Sequence, residues 1–296
     1  MKAPALRVQG LLMLLITAGS WGLNWPVLKF GLTEWPPFFY RVLSGSLAVA
    51  LLLAVALARR EHLWPRRDQW GRLVAASILN ITSWMGLATF ALFWLAASEA
   101  AIIAYTMPIW AALFAWPALG ERPTWPRAAG LALGLSGVAV LMAGQLLSAP
   151  AADLVAKLPG VACIMGTALM FAAGAVVTKR WPVTLAPVPL VGWQLAIGML
   201  PMLLLSLIFE TWTLDRVTPL GWAAVLYVGI FAMCVSYLAW FRALKLLPAS
   251  TAAIGTLLVP VIGVASSAWA LGEPLGPRQL IALALTVAGV VLASRG

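Results

Sequence analysis

The sequence of 296 residues has very little charge, a single histidine and two cysteines. Charged residues make up only 9% of it, whereas soluble domains typically have about 25%, and the mean hydropathy is +0.98. Cys163 and Cys234 lie in separate apolar stretches without CxxC spacing, so neither a disulfide framework nor a thiolate metal site is indicated. These shortages exclude an ordinary soluble domain. They predict an integral membrane protein that needs no metal or other cofactor.

Motifs of membrane enzymes are missing as well. The sole histidine, His62, stands alone in a predicted loop, and the sequence has neither a HExxH motif nor paired aspartates. We therefore predict no enzyme and no catalytic residue. The net charge of +10 could suggest a nucleic-acid partner. However, the positive residues fall in short breaks between hydrophobic runs, where membrane topology explains them better, so no nucleic-acid partner is predicted.

Hydrophobic runs recur along the whole chain. A membrane-spanning helix needs about 20 apolar residues, and ten candidates can be recognised, centred near residues 20, 47, 84, 109, 138, 168, 198, 231, 260 and 286. The first run, from Gly10 to about Phe30, is longer than the apolar part of a signal peptide and is followed at once by another run. The predicted fold is therefore all-α, with ten transmembrane helices in one membrane domain.

The positive residues indicate how these spans are oriented. If the N-terminus is cytoplasmic, most of the 19 Lys and Arg residues fall on the inner side, and those outside are only Lys29, Arg41, Lys157, Arg216 and Arg278. This excess follows the positive-inside rule. Both termini are therefore predicted to lie in the cytoplasm.

The two halves of the chain resemble each other. A shift of 152 residues aligns Pro108 with Pro260 and the Gly-Glu pair at Gly120 with that at Gly272, and eighteen of the fifty-one positions from 91 to 141 are identical. Each predicted repeat, 1–148 and 149–296, contains five spans. Because five is odd, the second copy enters the membrane from the opposite face. Such inverted repeats recur in secondary transporters, whose binding sites lie near the midplane between the halves.

Several residues resemble a known family. They are the prolines of spans four and nine, each followed by Leu-Gly-Glu and a glycine-rich span, together with Trp21, Gly22, Asn24, Lys29, Pro37 and Arg41. The whole chain resembles the drug/metabolite transporter superfamily in its ten-helix EamA-type branch, and within it the bacterial aromatic amino acid exporters. The resemblance implies two inverted five-helix halves around a central cavity lined by spans one, three, four, six, eight and nine. It also implies alternating access, export from the cytoplasm and location in a bacterial inner membrane.

Polar and aromatic residues at helical spacing predict the walls of a substrate path. The candidate substrate-binding residues are Trp21, Asn24, Asn80, Ser83, Trp84, Tyr105, Phe171, Tyr227, Tyr237 and Lys29. A proline inside a span removes a helical hydrogen bond, so the candidate hinges are Pro26, Pro108 and Pro260. Two alternatives stay open: Asn24 could bridge two helices, and the prolines could be simple packing kinks.

Ionisable residues are sparse within the spans. No Asp or Glu lies near the middle of one, which argues against a proton relay through a buried carboxylate. Lys29 and Arg41 lie near the outer ends of spans one and two. Lys29 could attract a substrate carboxylate, or both cations could extend to lipid headgroups or pair with Glu34 or loop carbonyls.

These features predict a secondary transporter that exports amino acids, with neutral or aromatic ones preferred, by facilitated alternating access. Efflux of quaternary or aromatic drugs, or of another small metabolite, is the alternative, because aromatic walls also bind cations. A membrane enzyme and a lipid scaffold are the rivals from other classes. The predicted partners are the small-molecule substrate and the lipid bilayer, and a monomer is favoured.

Overall fold

The chain folds as a bundle of helices. The computed structural model describes residues 2–120, 124–148, 151–212, 214, 217–247 and 258–293. In these residues the helical segments, labelled α1 to α10 in chain order, are Lys2–Glu34, Pro37–Ala58, Arg67–Ala91, Ala97–Leu119, Trp125–Ser148, Ala151–Arg180, Pro187–Phe209, 219–246, Leu258–Leu271 and Pro277–Ala293. Each predicted span centre falls inside one of these segments, which confirms the all-helical prediction.

Most of the segments are long and apolar enough to cross a membrane. Among the described residues, seven helices meet this condition by length and composition, namely α1 to α4 and α6 to α8. The apolar helices Ala128–Val140, within α5, and Leu258–Leu271 are shorter. The described part of the chain therefore forms a multi-pass membrane bundle.

Four segments are interrupted along their length. In α4 the helix ends at Ala104 and resumes at Met107, and in α7 it ends at Gly198 and resumes at Leu200. In both cases the second residue of the resumed helix is a proline, Pro108 or Pro201. The proline ring disfavours continuation of the preceding helix. The other two interruptions are π-helical stretches, Ile78–Thr82 in α3 and Tyr227–Val235 in α8.

Helix contacts occur in matching pairs when the first five segments are exchanged with the last five. Segment α1 packs on α8 and α9, and correspondingly α6 packs on α3 and α4. The pairs α2 with α7, α4 with α9 and α5 with α10 map onto themselves. This arrangement is the one expected of two five-helix repeats. The boundary between 1–148 and 149–296 stays a prediction, since residues 149–150 lie outside the described part.

Two matching turns end α4 and α9. Gly120 and Gly272 have φ angles of +74° and +64°, in the left-handed region that glycine adopts without a steric penalty. A glycine in this conformation is a common helix C-terminal cap. The glycine of each Leu-Gly-Glu turn therefore has a structural role that does not depend on the substrate.

Segments α5 and α10 pack closely through glycine. A Cβ atom on Gly289 would lie 2.7 Å from the carbonyl oxygen of Gly130 and 2.8 Å from the backbone nitrogen of Gly134. Only glycine permits this approach, as in other helix pairs within membranes. Among the helices that carry candidate binding residues, the α5–α10 pair contacts mainly α4.

Candidate functional site

Several of the predicted binding residues take part in aromatic contacts that connect α1 with α8, α1 with α3 and α3 with α6. On one side the rings of Trp21 and Tyr237 are in edge contact, with centroids 5.7 Å apart. On the other side Trp84 contacts both Trp25 and Phe171, at centroid distances of 6.0 and 5.6 Å. Edge and tilted contacts of this kind are favourable for aromatic rings. The site is therefore two aromatic clusters joined by α1.

Two of the predicted aromatic binding residues, Trp21 and Tyr227, connect helices through hydrogen bonds of their polar atoms. Trp21 Nε1 donates to the carbonyl oxygen of Ala232 at 2.9 Å, and the Tyr227 hydroxyl donates to that of Ser20 at 3.0 Å. Both bonds connect α1 with α8. Trp21 and Tyr227 can therefore offer a substrate their ring surfaces, while their polar groups hold the wall together.

Two asparagines carry acceptors with no partner. Asn24 in α1 and Asn80 in α3 are half-buried, and the side-chain oxygen of each lacks a hydrogen-bond partner among the described residues. Gly174 of α6 faces Asn80 so closely that a Cβ atom there would collide with the amide oxygen. Because buried polar atoms are normally paired, these two oxygens have unused acceptor capacity, although both are buried in this conformation.

Ser83 and Tyr105 are less accessible. The Ser83 side chain is buried, and its hydroxyl donates within α3 to the carbonyl oxygen of Leu79 at 2.5 Å. Tyr105 is buried in the turn that divides α4. Within the described residues, neither hydroxyl forms a hydrogen bond to the aromatic clusters, so the roles of Ser83 and Tyr105 in substrate binding stay predictions.

The π-helical stretches are a feature that sequence reasoning missed. They occupy equivalent positions in the two repeats, and one contains Asn80 while the other contains Tyr227. At their ends, Thr167 of α6 donates to the carbonyl oxygen of Ser83, and Thr17 of α1 donates to that of Ser236, both at 3.3 Å. Single π turns often mark functional sites in helices. The 152-residue repeat could have prompted a search at these positions, but composition alone carried no signal.

The three candidate hinges differ in their surroundings. Pro26 lies inside α1, which the structure describes as one continuous helix. Pro108 follows the break in α4 at Tyr105, where the sequence predicted a weak point. Pro260 lies in the first turn of α9 as described, and residues 248–257 before that helix lie outside the described part of the chain. Their function as hinges stays a prediction.

Lys29 is directed towards the loop after α3. Its ammonium group donates to the carbonyl oxygen of Leu92 and, at 2.9 Å, to that of Leu95. This position corresponds to the loop-carbonyl alternative. Nearby, Lys157 forms an ion pair with the buried Glu99 at 3.0 Å. A role for Lys29 in attracting a substrate stays a prediction.

Arg41 corrects one expectation. It does not extend to headgroups or pair with Glu34, because its side chain is only 1% exposed and its Nε donates to the Thr89 hydroxyl of α3 at 2.6 Å. It lies on the face of α2 that packs into the bundle, together with Ser44 and Ala48. The position of Arg41 on the packed face of α2 therefore determines its burial, although the residue lies close to the predicted membrane surface.

At the predicted outer end, two loops each place a glutamate carboxylate at the start of the helix that follows the other loop. Glu34, at the end of α1, accepts from the backbone N–H of Thr218 at the start of α8, at 3.0 Å. Glu210, after α7, accepts from the backbone N–H groups of Phe38 and Phe39 in α2, at 2.7 and 2.8 Å. Negative groups stabilise helix N-termini. A cavity of about 440 Å³ lies between these two loops, lined by both glutamates.

A third carboxylate ties the same end of the bundle. Glu273 follows α9 and accepts from the backbone N–H of Ala97 at 2.7 Å and from the Ser98 hydroxyl at 2.5 Å. It thus caps the N-terminus of α4. The outer end is therefore held by several polar contacts between loops and helix starts.

Comparisons with known proteins agree over nearly the full length. The model of the EamA-like transporter family matches residues 8–143 and 158–295. "Uncharacterized transporter YvbV" of Bacillus subtilis (strain 168) is 30% identical over 295 residues, covering 98% of this chain and 92% of that protein. A "Probable amino-acid metabolite efflux pump" of Salmonella typhimurium is 30% identical, with 97% and 94% covered. A solved crystal structure aligns with a TM-score of 0.66 at 25% identity, over 95% of this chain and 96% of that one.

Proposed function

The chain belongs to the EamA-like transporter family, and from that premise we propose that it exports amino acids, with neutral or aromatic ones preferred. The family makes it a membrane transporter of a small molecule. A similar protein of Salmonella typhimurium bears the name of an amino-acid metabolite efflux pump. Export from the cytoplasm across a bacterial inner membrane, with both termini cytoplasmic and the protein acting as a monomer, completes the proposal.

The observation that carries it is that α1 and α3 each have both an unpaired amide oxygen and an aromatic ring in the clusters. The oxygens of Asn24 and Asn80 can accept from an ammonium group, which has three donors and no acceptor. The rings of Trp84, Phe171 and Tyr237 provide apolar surface for a side chain. An amino acid with an apolar or aromatic side chain supplies both partners at once.

The polar ties at the outer end support alternating access. In the proposed orientation, Glu34, Glu210 and Glu273 hold that end together. Release of the substrate then requires these contacts to separate. The break in α4 at Tyr105, with Pro108 behind it, is the proposed place where one helix bends.

We propose facilitated transport without a carboxylate proton relay. The buried Glu99 lies in the first turn of α4, and Lys157 forms an ion pair with it. A relay group must be able to lose its partner and take up a proton. An ion-paired glutamate near the helix end is poorly suited to this role.

Efflux of quaternary drugs is the second candidate, because the ring faces of Trp84 and Phe171 could bind a cation. A quaternary ammonium has no N–H, so it would leave the oxygens of Asn24 and Asn80 unpaired. An unpaired buried acceptor costs about 1 to 3 kcal/mol. The two asparagines therefore favour a primary ammonium group.

Reconstitution of the purified protein in liposomes tests the proposal. Saturable efflux of labelled phenylalanine, equal with and without a pH gradient, is expected, and liposomes without protein serve as the control. Flux that follows the gradient would contradict the facilitated mechanism. If phenylalanine does not move while a quaternary aromatic compound does, the second candidate replaces amino acid export.

A further inference from the structure

Arg41 is a buried cation without a counter-ion in the described part of the chain. Its side chain is 1% exposed, and its Nη2 atom has no hydrogen-bond partner among the residues that the structure describes. The ion pairs found among the described residues involve other basic groups. A charge removed from water without a partner is strongly destabilising. A position that keeps such a charge within the membrane is a functional candidate.

The neighbour of Arg41 adds a second unused donor. The Tyr40 hydroxyl is fully buried and also has no partner within the described part of the chain, and its ring packs against Gly31 of α1. Gly31 lies seven residues beyond Asn24, or about 10 Å along the helix. Tyr40 therefore lies on the predicted outer side of Asn24. Arg41 donates to Thr89, which follows Asn80 in α3 towards the same end.

Both donors lie just beneath the contacts that tie the outer end. Glu210 holds the backbone N–H groups of Phe38 and Phe39, one helical turn above Arg41. Arg41 is therefore the first basic residue of α2 after the contacts with Glu210. Arginine presents a planar fork of donors that matches the two oxygens of a carboxylate.

We propose that Arg41 binds the carboxylate of the substrate at a second binding site, on the outer side of the substrate path, with Tyr40 as an auxiliary donor. This inference rests on the proposed function and specifies its substrate class: molecules with a carboxylate pass, and cations without one are disfavoured. The amino group is bound first at Asn24 and Asn80. The carboxylate is then bound at Arg41 as the outer end opens.

Arg41→Met separates this role from a structural one. Methionine is apolar and unbranched, so it removes the buried charge and fills a similar space. Thr89 remains satisfied because its hydroxyl also donates to the carbonyl oxygen of Met85 at 2.6 Å. Since a buried unpaired charge is costly, the thermal unfolding midpoint of Arg41→Met should equal or exceed that of the wild type.

The assay compares efflux of phenylalanine with that of phenylalaninamide, which lacks the carboxylate. We expect wild-type protein to favour phenylalanine by about tenfold or more, Arg41→Met to lose that preference through reduced phenylalanine flux, and Arg41→Lys to retain part of it. Arg72→Met removes an exposed arginine and should keep the preference.

Each other outcome overturns the inference. If Arg41→Met fails to fold, or if a folded variant loses both fluxes equally, then Arg41 maintains the structure. An unchanged preference for phenylalanine would show that the carboxylate is read elsewhere, while amino acid export itself stands. Absence of phenylalanine flux in the wild type would instead remove the proposed function, and this inference with it.

Discussion

Replacing Asn24 by leucine tests the candidate site through one atom. The Asn24 oxygen has no partner among the described residues, so its removal breaks no known internal hydrogen bond. Leucine has a similar volume and suits an apolar helix. The thermal midpoint of Asn24→Leu should therefore match that of the wild type or exceed it, because an unpaired buried acceptor is removed.

Transport should respond in the opposite way. A hydrogen bond to a charged donor contributes about 1.5 to 3 kcal/mol. Each 1.4 kcal/mol or so corresponds to a factor of ten, so kcat/KM for phenylalanine efflux should fall roughly 10- to 150-fold. The assay is initial-rate efflux from liposomes that contain equal amounts of folded protein.

Thr17→Val provides the matched control on the same helix. It removes the bond from Thr17 to the carbonyl oxygen of Ser236 and one within α1, so the thermal midpoint should fall while efflux per folded molecule is kept. The assignment of Asn24 to the site is refuted if folded Asn24→Leu transports within about threefold of wild type. Such a change would be smaller than the loss of one charged hydrogen bond causes.

Three further substitutions have defined outcomes. Gly174→Ala should displace the Asn80 amide and reduce efflux, since overpacking costs about 1 to 3 kcal/mol. Gly166→Ala, whose nearest contact would be at 3.2 Å, should retain normal efflux. Equal efflux rates of the two variants would contradict the reasoning. Gly289→Leu should separate α5 from α10 and lower the thermal midpoint in detergent, and an unchanged midpoint would show that this packing is dispensable. Glu210→Gln should loosen the outer end by about 0.3 to 1 kcal/mol, so external labelling of a cysteine introduced below it should be about two- to fivefold faster, and unaltered labelling would argue against the tie.

Local rules explain what the sequence predicted well. A proline inside a span removes a helical hydrogen bond, and α4 is interrupted at Tyr105, shortly before Pro108, whereas α1 continues through Pro26. A Gly-Glu pair repeated at 152 residues pointed to equivalent turns, and Gly120 and Gly272 adopt the same left-handed conformation. In each of these cases, neighbours within one turn determine the structure.

Contacts between distant residues explain what it could not predict. Glu34 and Thr218 are separated by 184 positions, and no spacing rule connects them. The burial of Arg41 likewise depends on Thr89 of another helix. The π-helical stretch around Asn80 differs from an α-helix by a small change in hydrogen bonding, and its residues have no distinctive composition. The aromatic clusters could be anticipated as a set, but their hydrogen bonds could not.

The reciprocal glutamate contacts between the two outer loops have an energetic consequence. Glu34 and Glu210 bind backbone N–H groups at helix ends, and water can take the place of either partner when the loops separate. Such bonds contribute only about 0.5 to 3 kcal/mol each after competition with water. A closure built from them is reversible by thermal fluctuation, whereas interdigitated side chains would leave cavities on separation. Opening of the outer end would then need no external source of energy, which fits the proposed facilitated transport.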